Sequence, residues 1–281
     1  MKKICILFLS LVITSSIQAG GPWPQPKGKA YIKLYEWWIN FDQHYVINGN
    51  KEGNPLSSIY NTGVFAEYGI TDKFTVVLNI PFNSQFKTTF YPEFSAPINF
   101  KYTSVGDSEL GIKYGITKKN SVMPVSASFI IGLPFGKDKY TGDGEMNQLF
   151  QLETGRSYKI SNKISGFTSL LAAYNIRSNG YSDEFRFGVE TGLALFHNNL
   201  NVIARYYNLK SMHNHDKDQF DNHYLVSIFE NDTEYSSYSI EFAYYFLKRL
   251  GISFNYASAF SGEWIAAAPA YSVGLFYDFN R

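Results

Sequence analysis

Eight charged residues occur where the neighbouring residues alternate between apolar and polar side chains. In such a pattern the charged side chains share one face with small and polar residues. Two kinds of chemistry follow: an electrostatic constriction that selects solutes, or a ladder of ion pairs that fills an interior. For any single residue, the ion-paired role is the favoured interpretation. The eight candidates are Glu67, Glu109, Lys113, Glu153, Arg186, Glu190, Arg205 and Glu241.

Other residue types with catalytic or metal-binding potential form weaker patterns. His213 and His215, with carboxylates nearby, could ligate a divalent metal, but a solvated polar loop has the same composition and is favoured. Outer-membrane lipases activate a serine that follows a histidine by two residues, and no histidine of this chain has that serine. We therefore expect no enzyme, no metal and no cofactor.

The segment Glu184–Leu195 shows most clearly the element that must position the charged residues. Its large apolar side chains (Phe185, Phe187, Val189, Leu193 and Leu195) alternate with Arg186, Gly188, Glu190 and Gly192. A period of two is typical of a strand, because successive side chains point to opposite faces of a sheet. About twelve such segments follow one another, and their connections alternate between long and short.

This organisation predicts an all-β chain that forms one transmembrane, antiparallel, up-and-down β-barrel of about twelve strands. Strands are expected over 30–41, 59–68, 74–82 and 108–116, with long loops over 42–58 and 83–104 and the longest loop over 210–234. The alternative fold is a secreted β-sandwich, whose strands are usually shorter and whose loops do not alternate in length.

The composition agrees with a barrel in a membrane. Aromatic residues make up 18% of the chain, yet the mean hydropathy is only −0.19. Barrels have this combination because half of each strand faces lipid and half faces a polar interior. The 25 basic and 24 acidic residues nearly balance, so the sequence predicts no nucleic-acid partner.

The first residues have the pattern of a secretory signal peptide over 1–19. Lys2 and Lys3 precede an apolar run that is too short to cross a bilayer, and small residues end at Ala19. Residues 20–29, rich in glycine and proline, are expected to form a periplasmic N-terminal leader. The barrel domain is then expected to cover residues 30–281.

Several short motifs stand out along the chain. They are Glu67 to Asp72, Gly106-Asp107 followed by Leu110 to Tyr114, Gly132 to Gly136, Asp183 to Arg186, and the ending Gly274 to Phe279. Together they resemble a family of small outer-membrane barrels. Its members are described as transporters or as phenol-degradation (MetA-pathway-like) proteins and are distant relatives of fatty-acid and aromatic-hydrocarbon channels. Exopolysaccharide-linked members are also similar.

The resemblance and the barrel pattern together imply an outer-membrane channel or transporter for passive uptake of small solutes, hydrophobic or aromatic ones included. A non-conducting structural barrel, or one that serves envelope or exopolysaccharide assembly, is the alternative. Expected partners are outer-membrane lipid, lipopolysaccharide and a solute that the sequence does not name. The aromatic C-terminal strand also resembles the signal that the barrel-insertion machinery reads.

Overall fold

The computed structural model describes residues 21–91, 96–118, 121–136, 140–212 and 231–281. The predicted signal peptide and the histidines of the longest loop, from His213 to His223, lie outside these residues. Within the described part, no helix combines the length and the apolar character needed to cross a membrane.

The described chain is one antiparallel sheet that closes on itself. A single turn of 3-10 helix, Ile47–Gly49, is the only described helix. The strands are β1 (Ala30–Tyr45), β2 (Lys51–Gly69), β3 (Phe74–Phe90), β4 (Ile98–Ser104), β5 (Ser108–Gly115), β6 (Val125–Leu133), β7 (Asn147–Lys159), β8 (Ser165–Arg177), β9 (Glu184–Leu195), β10 (Leu200–Ser211), β11 (Glu234–Tyr245), β12 (Leu250–Glu263), β13 (Ile265–Ala266) and β14 (Ala270–Asp278).

These strands form a closed barrel of twelve wall strands, as the sequence predicts. β1 pairs with β2 on one side and with β14 on the other, which closes the sheet. β4 and β5 both pair with β3 and together make one interrupted wall strand. The short β13 continues the line of β14 along β1. Closure removes the unpaired edges that an open sheet would leave in lipid.

Two predicted long loops are wrong, because most of their residues belong to strands. β1 and β2 extend through much of 42–58, and β3 continues to Phe90 before β4 returns through Ile98–Ser104. Polar side chains here lie on both faces, and Ser57 and Thr88, for example, are paired across β2 and β3. Period-two alternation therefore disappears, while the backbone ladder, which is independent of side-chain polarity, continues.

Pro81, which belongs to the predicted strand over 74–82, lies inside β3 at an irregularity. The register of β2 against β3 shifts between Thr62 and Val64, and β3 pairs with β5 before Pro81 and with β4 after it. Proline is tolerated within a sheet at such a bulge, since the ladder needs no donor there. The Pro81 carbonyl accepts a hydrogen bond from the Gly106 amide at 2.8 Å.

The connections divide the barrel into two distinct ends. At the short-turn end, β2 joins β3, β7 joins β8, β9 joins β10 and β11 joins β12 through four or five residues. The first residues of β1 and the last of β14 lie at this end as well. At the other, long-connection end, the chain passes through the 134–146 and 212–233 connections.

The outer surface of the wall is apolar. Large side chains such as Leu34, Ile112, Leu152 and Leu275 are about half exposed, whereas their sequence neighbours face inward and are polar or small. Trp38 and Tyr271 stack on this surface with ring centroids 5.7 Å apart. An exposed apolar band of this kind is what a barrel presents to lipid, so the barrel is built to span a membrane.

Candidate functional site

The interior of the barrel holds the side chains of all eight predicted residues. Each lies on the same face of its strand as small or buried neighbours, opposite the exposed apolar face. The structure adds Lys33, Asp143, Arg177 and Glu184 to the charged interior. Most of these charges fall into three ion-paired groups along the barrel axis. Glu109 belongs to none of them.

The first group lies toward the short-turn end and joins three strands. The Lys113 Nζ atom is 3.3 Å from Glu153 Oε2 and 3.6 Å from Glu67 Oε1. All three side chains are almost fully buried. One lysine thus holds two carboxylates, and the group requires further hydrogen-bond donors to satisfy the remaining oxygens.

Residues 21–26 supply part of that requirement and lie inside the barrel, and the exposed Lys27 and Gly28 lead from them toward β1. Gln25 is 1% exposed, and its Nε2 atom donates a hydrogen bond of 2.7 Å to Glu67 Oε2. The Gln25 amide donates to Thr75 Oγ1, and Asn280 Nδ2 donates to Gln25 Oε1. We call residues 21–28 the N-terminal plug, because most of them occupy the lumen at the short-turn end.

Two further contacts hold the plug against the far wall. Lys113 Nζ donates a hydrogen bond of 2.8 Å to the backbone oxygen of Gly21. The Trp23 ring meets Phe167 of β8 edge to face, with centroids 5.6 Å apart. The plug therefore reaches from β2 and β3 across to β8.

The second group crosses the middle of the lumen. Glu241 forms two ion pairs. Its Oε1 atom is 2.8 Å from Lys33 Nζ, and its Oε2 atom is 2.8 Å from Arg205 Nη1. Arg205 Nε also pairs with Glu190 on the adjacent β9. Two cations and two carboxylates alternate, so this group is neutral as a whole.

The third group lies at the long-connection end. Arg177 bridges Glu184 Oε1 and Asp143 Oδ2, both at 3.0 Å, and Arg186 pairs with Glu184 at 2.6 Å. Arg177 ends β8 and Glu184 begins β9, so the group ties a connection between two strands to the wall.

Asp107, between β4 and β5, is joined to this third group through Asp143. It accepts hydrogen bonds from the amides of Gly136 and Gly144 at 2.7 and 3.2 Å. Burial, followed by a hydrogen bond shared with Asp143, raises the pKa of Asp107 to about 6. The pKa of Asp143 is lowered although burial opposes this, because hydrogen bonds from Asn147 and Asp107 favour its anion. One proton is thus held on Asp107 in mildly acidic solution.

A cavity of about 600 Å³ lies in the lumen, above the plug in the sense that it is on the side toward the long-connection end. Its wall contains four aromatic side chains of β1 and β2, namely Tyr31, Tyr35, Trp37 and Phe65, together with Asn79, Asp107, Glu109 and Glu241. Glu109 Oε2 accepts a hydrogen bond from Asn79 Nδ2 at 3.2 Å. The volume is sufficient for a small organic solute, and the lining offers both ring faces and charge.

No family model matches the chain, and comparison with curated proteins gives no significant sequence match. Solved structures do match in three dimensions. An outer-membrane channel from Pseudomonas putida F1 aligns with a TM-score of 0.64 at 12% identity, covering 94% of this chain and 100% of that one.

The chain has the fold of an outer-membrane channel. The KdgM porin aligns with a TM-score of 0.50 at 10% identity, covering 89% of this chain and 99% of the porin. The NanC porin aligns with a TM-score of 0.51 at 7% identity, covering 88% and 98%. At identities this low, these likenesses show the barrel fold alone.

Several interior residues were missed by the sequence analysis for identifiable reasons. Lys33 was missed because β1 has large aromatic or apolar residues on both faces, which hides its parity. Asp107, Asp143 and Arg177 lie at strand ends or in connections, where no alternation exists to assign a face. In the sheet, Lys33 is paired with Phe65 of β2 and with Phe276 of β14. This register identifies the inward face of β1 directly. Among the described residues, no group of three or more potential metal ligands occurs.

Proposed function

We propose that this protein is an outer-membrane channel for passive uptake of small solutes. The observation that carries the proposal is a closed twelve-strand wall that is apolar outside and encloses a charged lumen with a cavity of about 600 Å³. The short-turn end would face the periplasm and the long-connection end the exterior, as in bacterial barrels of this type. The similar fold of known channels supports this proposal.

The N-terminal plug gives the channel a closed resting form in this proposal. The plug fills the periplasmic mouth and interacts through Glu67, Thr75, Lys113 and Phe167. It is part of the mature chain if cleavage follows Ala19. Solute passage then requires the plug to move from its contacts, which predicts low conductance in the full-length mature protein.

The competing function is a non-conducting structural barrel. The buried ion pairs between Lys113, Glu67 and Glu153 favour it, because they tie the wall and the plug into one rigid unit. Transport is preferred, since a purely structural barrel has no need of an internal cavity lined with aromatic and charged side chains.

Single-channel recording distinguishes the two functions. Folded mature protein and a variant lacking residues 21–27 would be inserted separately into planar bilayers. Heat-modifiable gel mobility would establish that each is folded. The channel proposal expects small steps from the mature protein and clearly larger steps from the shortened variant. Silence from both folded proteins would overturn it and favour the structural function.

A further inference from the structure

The cavity above the plug has an aromatic wall on one side. Tyr31, Tyr35 and Trp37 project inward from the same face of β1, with Lys33 between the first two, and Phe65 lies beside them on β2. The Tyr31 and Phe65 rings are 6.4 Å apart at 62°, so they present an edge and a face to the space between them. Aromatic faces carry partial negative charge and attract cations within about 6 Å of the ring centre.

The charged side chains around this aromatic wall differ in the partners that they have. Lys33, the cation in the lining, is already bound to Glu241 at 2.8 Å. Asp143 is bound to Arg177, and Asp107 is held by two backbone amides. Within the described ranges neither Asp107 nor Glu109 pairs with a lysine or arginine, but Asp107 accepts two backbone N–H hydrogen bonds, whereas Glu109 accepts one, from the side-chain amide of Asn79.

A short relay fixes the position of the Glu109 carboxylate. The Tyr35 hydroxyl donates to Asn79 Oδ1 at 2.9 Å, and Asn79 Nδ2 donates to Glu109 Oε2 at 3.2 Å. The carboxylate and the aromatic wall are thereby linked across β1, β3 and β5. A partly buried carboxylate that lacks a cation is costly in a low-dielectric interior, and a bound cation would relieve that cost.

We propose that this cavity is a binding site for a small organic cation with an apolar or aromatic body, such as an ammonium compound. Glu109 neutralises the positive charge, and the faces of Tyr35 and Trp37 contact the cation and its apolar substituents. The site rests on the proposed function only in that the ligand enters through the lumen. It names cations as the solute class that the channel retains, over anions and neutral compounds of the same shape.

Isothermal titration of the folded protein in detergent tests this site without any need for conductance. Three probes of similar size would be used: benzyltrimethylammonium, benzyl alcohol and benzoate. We expect the ammonium probe to bind most tightly, and Glu109→Gln to weaken its binding by about tenfold or more. Benzyl alcohol affinity should change by less than about twofold in the same variant.

Glu36→Gln provides the matched control. Glu36, like Glu109, is a strand carboxylate that accepts a hydrogen bond, but it lies on β1 and projects to the opposite side of the wall from Tyr35 and Trp37. Its replacement should leave ammonium binding unchanged. Trp37→Leu, which removes a ring but no charge, should weaken the binding of both the ammonium probe and benzyl alcohol.

Three results would overturn the proposed site. They are no binding of the ammonium probe to folded wild-type protein, equal affinity for all three probes, or unchanged ammonium affinity in folded Glu109→Gln. The recordings above remain a separate test. If the folded barrel binds the ammonium probe but never conducts, the binding-site proposal stands and the channel proposal is wrong. If it conducts but shows no preference for the ammonium probe, the channel proposal stands and the binding-site proposal is wrong.

Discussion

Lys113, in the wall of the barrel, donates a hydrogen bond of 2.8 Å to the backbone oxygen of Gly21, 92 residues earlier in the chain. The same ammonium group lies between the carboxylates of Glu67 and Glu153. A single buried cation therefore connects the ion-paired wall to the plug that fills one end of the lumen. The stability of the barrel and the closure of its mouth should consequently depend on the same atom.

Replacing Lys113 with methionine should destabilise the folded barrel by about 3–5 kcal/mol, because two buried carboxylates would lose their cation. Urea unfolding in detergent or lipid would measure the loss. Lys210→Met is the matched control, since the Lys210–Glu234 pair is exposed at 3.5 Å and should contribute less than about 1 kcal/mol. Equal losses in the two variants would contradict a special role for Lys113.

Gly69→Ala should loosen the plug without removing any of its residues. A Cβ atom at Gly69 would overlap the backbone oxygens of Gln25 and Pro26, so the plug must shift. We expect faster protease cleavage near residues 21–28 and larger single-channel steps. Gly53→Ala should change neither property, because a Cβ atom there meets no atom within 4 Å. A plug that stays protected in Gly69→Ala would refute this explanation of its packing.

Asp107 should make the stability of the barrel depend on pH near 6. Its pKa in the folded protein is raised from 3.8 to about 6, mainly by burial. Its contribution to stability is therefore present at low pH and is lost as the pH rises through about 6. The loss should be about 1–2 kcal/mol after allowance for solvent screening.

Unfolding free energies measured between about pH 5 and about pH 7 would show this decrease. Asp107→Asn keeps the hydrogen-bond acceptor for the Gly136 amide but cannot ionise, so its stability should decrease less over the same range. The neighbouring Asp143 titrates in the opposite sense, since its lowered pKa makes its contribution disappear only in more acidic solution. A decrease of the same size in Asp107→Asn would assign the effect to another group.

Glu36 lies on the outer face of β1, between the lipid-facing side chains of Leu34 and Trp38. Its carboxylate accepts a hydrogen bond of 2.5 Å from the Thr62 hydroxyl. A charge on this face opposes insertion into lipid, so Glu36→Leu should stabilise the barrel or leave its stability unchanged. Thr62→Val should instead destabilise it by about 1–3 kcal/mol, because the carboxylate would lose its donor. Unfolding from lipid vesicles would compare the two, and equal effects would mean that Glu36 reaches water.

The sequence determined the architecture of this protein because membrane strands impose a period of two. Lipid selects large apolar side chains on one face, and the interior selects small and polar ones on the other, as Leu110, Ile112 and Tyr114 alternate with Glu109, Gly111 and Lys113. That alternation was sufficient to predict a barrel of about twelve strands. It failed over 83–104, where polar side chains lie on both faces of β3 and β4.

Only the tertiary structure decided which charges meet and where the first described residues lie. Ion pairs such as Lys33–Glu241 join residues 208 positions apart, and barrel closure alone brings β1 near β11. No local pattern marks Gly21 to Gly28 as a plug, since glycine and proline fit an exposed leader equally well. The difference arises because the free energy of burying Gln25 and Trp23 depends on partners supplied by β2, β3 and β8, which the linear sequence leaves far apart.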